Sequence, residues 1–405
     1  MHAGRSDLTR NKLTILIGVS AAAFLGPFTQ TVYTPSLPAL QSFFGVNTVL
    51  VNLTISLYSM VFALGNLAAG PLADRWGRRT VLFPGLMIFC LGSLVCLFSS
   101  SYGPFLAGRF LQGLGASAGT VIAGAVVADI YAPHERARAM GIYQTVVYLG
   151  PVFGPVAGGL IAAYLHWQWV FALLAAVAAL LLAYNRSRLP ETLPADLVPI
   201  RITWHTFRGV LAKPAAAAIL LVGFSQFYGY YVFLVFLPGL LGSLLKQSTA
   251  SLGFFFLPLT VGILFGIHVG RHWQRHWTRT RITVACSFGI GIAVLLLWLA
   301  LLEHRLDVPG LVALLSAYGV LLGASLPVQT TILVNQFQQE KATALGVYNL
   351  VRFSGAAAGP LAGGLIEIRY GIAAVFLSLA LLLFLSAAVI RRYLSDPYEI
   401  SPATS

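Results

Sequence analysis

The stretches GPVFGPVAGG, residues Gly150–Gly159, and GAAAGPLAGG, residues Gly355–Gly364, decide how this chain is read. Each sets glycine and proline inside what its surroundings mark as helix. They are the ends of a longer repeat. With a shift of 205 positions, His134–Ile161 (HERARAMGIYQTVVYLGPVFGPVAGGLI) falls on Gln339–Ile366 (QEKATALGVYNLVRFSGAAAGPLAGGLI) without a gap. Half of the paired positions are identical, among them Glu135 with Glu340, Gly141 with Gly346, Tyr143 with Tyr348 and Pro155 with Pro360. Chance matches a few glycines; it does not match a run of this length.

The surroundings of the repeat are apolar throughout. Of 405 residues 58% are hydrophobic and 9% charged, whereas a soluble domain carries about a quarter charged residues. Water could not wet a surface built from that supply. Apolar runs of about 17–25 residues, the length that crosses a bilayer's hydrocarbon core, recur along the chain. Twelve spans are predicted, at about 13–34, 48–70, 80–98, 104–128, 139–164, 168–184, 214–240, 250–270, 281–301, 310–334, 342–366 and 371–390. Backbone polar groups in lipid must bond within their own segment, so the spans are expected to be helices. The short alternating segments of a membrane barrel are not found.

Both copies of the repeat follow a charged loop. If those loops lie on the same side of the membrane, the two copies are an even number of spans apart, and the count is six. The expected architecture is all-α: two parallel six-helix bundles, residues 1–184 and 214–405, joined by a basic, proline-broken cytoplasmic linker, 185–213. Parallel halves related by an axis along the membrane normal are a transporter architecture, with the substrate near the midplane.

The formal charge of +13 would suit nucleic acid if it were gathered on one surface, but its placement points to the bilayer instead. With the N-terminus in the cytoplasm, Lys12, Arg75, Arg78, Arg79, Arg136, Arg138, Arg186, Arg188, Arg271, Arg275, Arg279, Arg391 and Arg392 all fall on the cytoplasmic side. Only Lys246, Arg305 and Arg369 fall on the other. That asymmetry is the positive-inside rule. It predicts a protein of the cytoplasmic membrane with both termini inside, in contact with lipid and not with nucleic acid. The first apolar run is read as an uncleaved first helix. Cys90, Cys96 and Cys286 lie within spans and read as small apolar residues. No metal site, cofactor motif, phosphate-binding GxxxxGK[ST] loop or enzyme constellation is found.

Gly150, Gly154 and Gly158 recur every four residues and share a helix face on which a second helix can approach closely. Pro151 and Pro155 each remove a backbone hydrogen bond and invite a kink. Gly355, Gly359, Pro360 and Gly363 repeat the pattern in the second half. These positions are expected to pack and gate the two bundles.

Three further motifs complete a resemblance. GPLADRWGRR (Gly70–Arg79), FLAGRFLQGLGAS (Phe105–Ser117) and YTPSLPAL (Tyr33–Leu40), together with GPVFGPVAGG, resemble the major facilitator superfamily. Over about residues 10–395 the chain is most similar to twelve-helix drug/proton antiporters of the bicyclomycin and chloramphenicol resistance type. The resemblance implies an alternating-access exporter of small amphipathic organic compounds, driven by protons and acting as a monomer. It also implies that Asp74 caps the helix beginning near Ala342, where a carboxylate gains about 0.3–1 kcal/mol from the helix dipole. Arg78 would then pair with Asp129 to form a conformational latch, and Arg109 would serve proton coupling.

Arg109 and Arg352 lie well inside spans, where arginine is costly and turns to a polar cavity. No Asp or Glu lies near the middle of any span. At the place in the first span where many such antiporters carry a carboxylate, this chain has Gln30 and Thr31, which do not titrate. Asp129, Glu367 and His268 are the remaining titratable candidates. The alternative is an organic-anion transporter, or a facilitator without proton coupling, anchored by the two arginines. Gln30, Tyr33, Asn52, Arg109, Gln226, Tyr230, Gln329 and Arg352 are expected to bind substrate, since aromatic walls with few polar anchors suit amphipathic molecules.

Overall fold

The computed structural model describes residues 3–193, 209, 212–243, 252–337 and 341–394. The expected Glu340, Lys246 and most of the linker lie outside the described residues. Every regular element among those described is helical. In the first half these are α1 (Ala3–Val32), α2 (Leu37–Phe44), α3 (Thr48–Trp76), α4 (Arg78–Phe98), α5 (Tyr102–Ile130), α6 (Pro133–Tyr164) and α7 (Gln168–Arg188). In the second they are α8 (Pro214–Ser243), α9 (Leu257–Trp273), α10 (Arg279–Leu302), α11 (Val308–Gln336), α12 (Lys341–Tyr370) and α13 (Ile372–Tyr393).

The helix ends follow local chemistry. Proline, whose missing N–H costs nothing in a first turn, opens α2, α6, α9 and α11. Asp307 accepts from Gly310 N–H at 2.9 Å and Thr278 from Arg281 N–H at 3.3 Å, which caps α11 and α10. Gly45 closes α2 with φ +62°.

Eleven of these helices, α1 being continued through α2, are long and apolar enough to cross a membrane. The expected eleventh span is present as α12, a 30-residue helix. It falls short on composition, because Asn349, Arg352, Glu367 and its many glycines dilute the apolar residues. The chain is an integral membrane protein of the expected all-helical class.

One local expectation is corrected. The spans predicted at about 48–70 and 80–98 leave most of the motif Gly70–Arg79 as a connecting loop, but it is largely helical. α3 continues through Pro71 to Trp76, and Gly77, with φ +102°, is the single residue before α4 begins. Asp74 therefore stands in the last turn of α3, and Arg78 in the first turn of α4.

The chain divides into two compact units, residues 1–46 with 57–201, and residues 47–56 with 202–405. The opening turns of α3 thus group with the second unit. Helix pairing recurs between the units. α1 packs on α6, α4 on α5 and α7, and α1 on α7; correspondingly α8 packs on α12, α10 on α11 and α13, and α8 on α13.

The glycine face accounts for the first pairing in each set. A Cβ on Gly150 would meet the backbone of Phe28, and one on Gly158 would overlap the carbonyl oxygen of Val32. Gly154 faces Thr31 and Val32. In the second unit Gly355 lies against the Phe224 carbonyl, Gly359 against that of Tyr228, and Gly363 against the Phe236 ring. α6 and α12 run unbroken through Pro151, Pro155 and Pro360.

Candidate functional site

Three groups of polar side chains stand out against the apolar helices. The first lies where α3, α4 and α5 end. Arg78, 3% exposed, donates from Nη1 to Asp74 and from Nε to Asp129 Oδ2 at 3.0 Å. Thr192 Oγ1 donates to the same Asp129 oxygen at 3.1 Å. Glu191 accepts the N–H groups of Arg78 (2.8 Å), Arg79 (3.1 Å), Thr192 and Leu193 (both 3.0 Å), and so caps α4. Burial alone would raise the Glu191 carboxyl, but the N–H donors outweigh it and hold the group below the usual carboxylate range. A Cβ on Gly77 would come within 2.6 Å of Glu191 Oε2, so glycine is needed there for space as well as for its positive φ.

The expected pair of Arg78 with Asp129 is thus in contact, and Arg78 also bonds Asp74, which the sequence did not suggest. The expected cap by Asp74 falls on a helix start that lies at the edge of the described residues, next to the undescribed residues 338–340. Glu191 and Thr192 escaped the sequence reading. Their signal, an acid three residues beyond a helix end in LPETL, marks capping chemistry but not the helix being capped.

The second group surrounds Arg109, which is fully buried on α5. Its guanidinium lies over the rings of Tyr33 at 4.2 Å and Tyr58 at 4.4 Å. Nη1 donates to Gln112 Oε1 at 2.6 Å, and Gln112 Nε2 donates to Ser93 Oγ at 2.8 Å. Tyr58 donates to the Gly26 carbonyl at 3.0 Å. Aromatic faces and an amide oxygen therefore stabilise the buried cation. Gln30 is buried on α1 with Tyr33, three residues away.

The third group belongs to the second unit. Gln226 Nε2 on α8 donates to Ser325 Oγ at 3.1 Å and to Ser287 Oγ at 3.3 Å. Gln329 Nε2 donates to Gln226 Oε1 at 2.8 Å and to Ser325 Oγ at 2.5 Å. Tyr348 donates to Gln329 Oε1 at 2.9 Å. The network joins α8, α10, α11 and α12. Tyr348 is the repeat partner of Tyr143, which likewise reaches the preceding helix, donating to the Thr120 carbonyl at 3.1 Å. One turn beyond Tyr348, Arg352 lies over Phe227 at 4.3 Å, Phe353 at 5.1 Å and Tyr348 at 5.5 Å. Tyr230 packs near Phe227, with ring centroids 6.3 Å apart.

Asn52 stands apart from these groups and donates to the Pro360 carbonyl at 3.0 Å. Of the titratable candidates, Asp129 is engaged by Arg78 and Thr192. Glu367 keeps Oε2 buried without a hydrogen-bond partner. His268 is exposed, with Nδ1 3.0 Å from the Leu264 carbonyl. Among the described residues no group of His, Cys, Asp and Glu could hold a metal ion.

A fold of repeated helical bundles with buried polar clusters is that of a membrane transporter. The sequence model of the Major Facilitator Superfamily matches residues 19–360, and the chain belongs to that family. It is 26% identical over 367 residues to the uncharacterized MFS-type transporter YwfA of Bacillus subtilis (strain 168), covering 90% of this chain and 88% of YwfA. It is 32% identical over 179 residues to the multidrug resistance protein MdtL of Salmonella paratyphi B (strain ATCC BAA-1250 / SPB7), covering 44% of this chain and 45% of MdtL. The chain spans less than half the length of several curated relatives it matches. The crystal structure of a D-xylose-proton symporter has the same fold, with a TM-score of 0.75 at 18% identity over 95% of this chain and 98% of that one.

Proposed function

We propose that this transporter exports small amphipathic organic compounds by alternating access and proton antiport. The observation that carries the reading is the third group: a buried network of Gln226, Ser325, Gln329 and Tyr348 beside the aromatic residues Phe227, Tyr230 and Phe353. A few fixed polar anchors on an aromatic wall bind organic molecules of varied shape. The glycine-proline helix α6 and the name of the relative MdtL support export. In this reading Gln30, Tyr33, Asn52, Arg109, Gln226, Tyr230, Gln329 and Arg352 contact substrate. Asp74, Arg78 and Asp129 form the latch, and Arg109 couples transport to proton movement. Its bonds to Arg78 and Thr192 fit Asp129 to the latch better than to carrying a proton. The protein acts as a monomer in the cytoplasmic membrane with both termini inside, as two six-helix halves joined by residues 185–213.

The placement of the acids favours a second reading for coupling. Asp74 and Asp129 are bound by Arg78 near helix ends, and Glu367 stands in the last turns of α12. Such a chain would carry organic anions, or facilitate their passage, without protons. The experiment is proton movement in liposomes containing the purified protein and an internal pH dye, with cationic, neutral and anionic compounds added singly. Antiport gives proton flux that depends on the compound. Compound flux without proton flux establishes the facilitator, and no flux with any compound overturns both readings.

A further inference from the structure

The two intramembrane arginines are held differently. Arg109 is 0% exposed and hydrogen-bonded to Gln112. Arg352 is partly exposed, and its guanidinium lies over the rings of Phe227, Tyr348 and Phe353. Among the described residues no carboxylate pairs with it, and its Nε is buried without a hydrogen-bond partner. A second donor in the same cluster shares this condition: Tyr230, 5% exposed, has a hydroxyl buried without a partner. Both side chains pack near the ring of Phe227, which also meets Phe353 edge-on at 5.7 Å.

A buried donor left unsatisfied is costly, and more so when charged. Two in one aromatic cluster indicate a missing acceptor. Arginine only donates, and a phenol hydroxyl can donate, so the complement is a group that only accepts and carries negative charge. Carboxylate matches the planar guanidinium fork. The rings of Phe227 and Phe353 provide an apolar wall for the body attached to it.

We propose that Arg352 and Tyr230, which both pack near Phe227, form the seat for the carboxylate of an aromatic organic acid. The proposal rests on the transporter reading above and narrows its substrate class. Arg352 holds the carboxylate by charge-assisted hydrogen bonds, Tyr230 adds an O–H donor, and Phe227 and Phe353 face the aromatic body. Arg109, bonded to Gln112 and stacked on Tyr33 and Tyr58, is not part of this carboxylate seat.

The test compares 1-naphthoate with its neutral isostere 1-naphthamide, by calorimetry on the full chain purified in an uncharged maltoside detergent. The expected preference for naphthoate is about tenfold or more. In Arg352→Gln it collapses to within about twofold, and in Tyr230→Phe it falls part of the way, by about threefold. Arg352→Lys keeps the charge without the planar fork and retains an intermediate preference, which separates loss of the seat from loss of the fold. Equal binding of the two probes by the wild type overturns the proposal, as does a preference unchanged in both Arg352→Gln and Tyr230→Phe. Liposome flux of 1-naphthamide tests the transporter reading separately. If that flux persists while the naphthoate preference is absent, only the seat fails.

Discussion

Glu191 shows how one side chain can organise a helix junction. Its carboxylate accepts N–H groups at the start of α4 and from its own loop, with Gly77 leaving room for it. Loss of a helix cap costs about 1 kcal/mol. Glu191→Ala is therefore expected to lower the unfolding midpoint at neutral pH, measured by scanning fluorimetry. The pH dependence has a definite sign. The folded-state carboxyl is held below its unfolded value, so its stabilisation is complete above the unfolded value and is lost as the pH falls through the folded one. The gap between wild type and variant is widest near pH 7 and begins to close as the pH falls below the usual carboxylate range. A gap that stays constant down to acid pH would refute the charged-cap account. Lys12 and Glu135, 3.0 Å apart and both solvent-accessible, form the kind of surface pair that contributes little.

Among the elements, α6 and α12 have the tightest constraint. Each runs as one unbroken helix and presents glycines at four-residue steps to the backbone of its neighbour. Phe28 and Val32 on α1 correspond to Phe224 and Tyr228 on α8. The match explains why the glycines survive in both copies while Pro151 is replaced by Ala356 in the second. Close approach needs the missing side chains, and one proline suffices for what the copies share. Gly158→Ala would drive a methyl group into the Val32 carbonyl and should cost about 1–3 kcal/mol, as overpacking does. Gly141→Ala on the same helix meets nothing within 4 Å and should be neutral or slightly stabilising. Thermal unfolding of the two variants in detergent checks this; equal midpoints would show that α1 can shift at no cost.

For the whole molecule, the charge asymmetry makes a prediction about sidedness. Arg275, between α9 and α10, is expected in the cytoplasm, and Arg305, between α10 and α11, outside. Both positions are exposed. In a background with Cys90, Cys96 and Cys286 replaced, a membrane-impermeant maleimide added to intact cells should label Arg305→Cys and spare Arg275→Cys. Labelling of Arg275→Cys alone would invert the topology.

The sequence by itself determined the class of protein. Run length and scarcity of charge required membrane helices, and the repeat at His134 and Gln339 required two related sets of them. These are local or periodic properties, and any stretch of chain displays them without knowing its neighbours. The motif Gly70–Arg79 was recognisable in the same way, although its helical form was not, because Pro71 reads as a helix breaker and α3 runs through it. Only the tertiary structure decided which groups meet. Asp129 and Glu191 converge on Arg78 and the start of α4 from distant positions in the chain. Arg109 settles between Tyr33 and Tyr58, while Arg352 lies over the rings of Phe227, Tyr348 and Phe353. A side chain's type declares what it can bond, but its partner is chosen by the packing of helices remote in sequence. In a low-dielectric interior that choice sets how each buried charge is held.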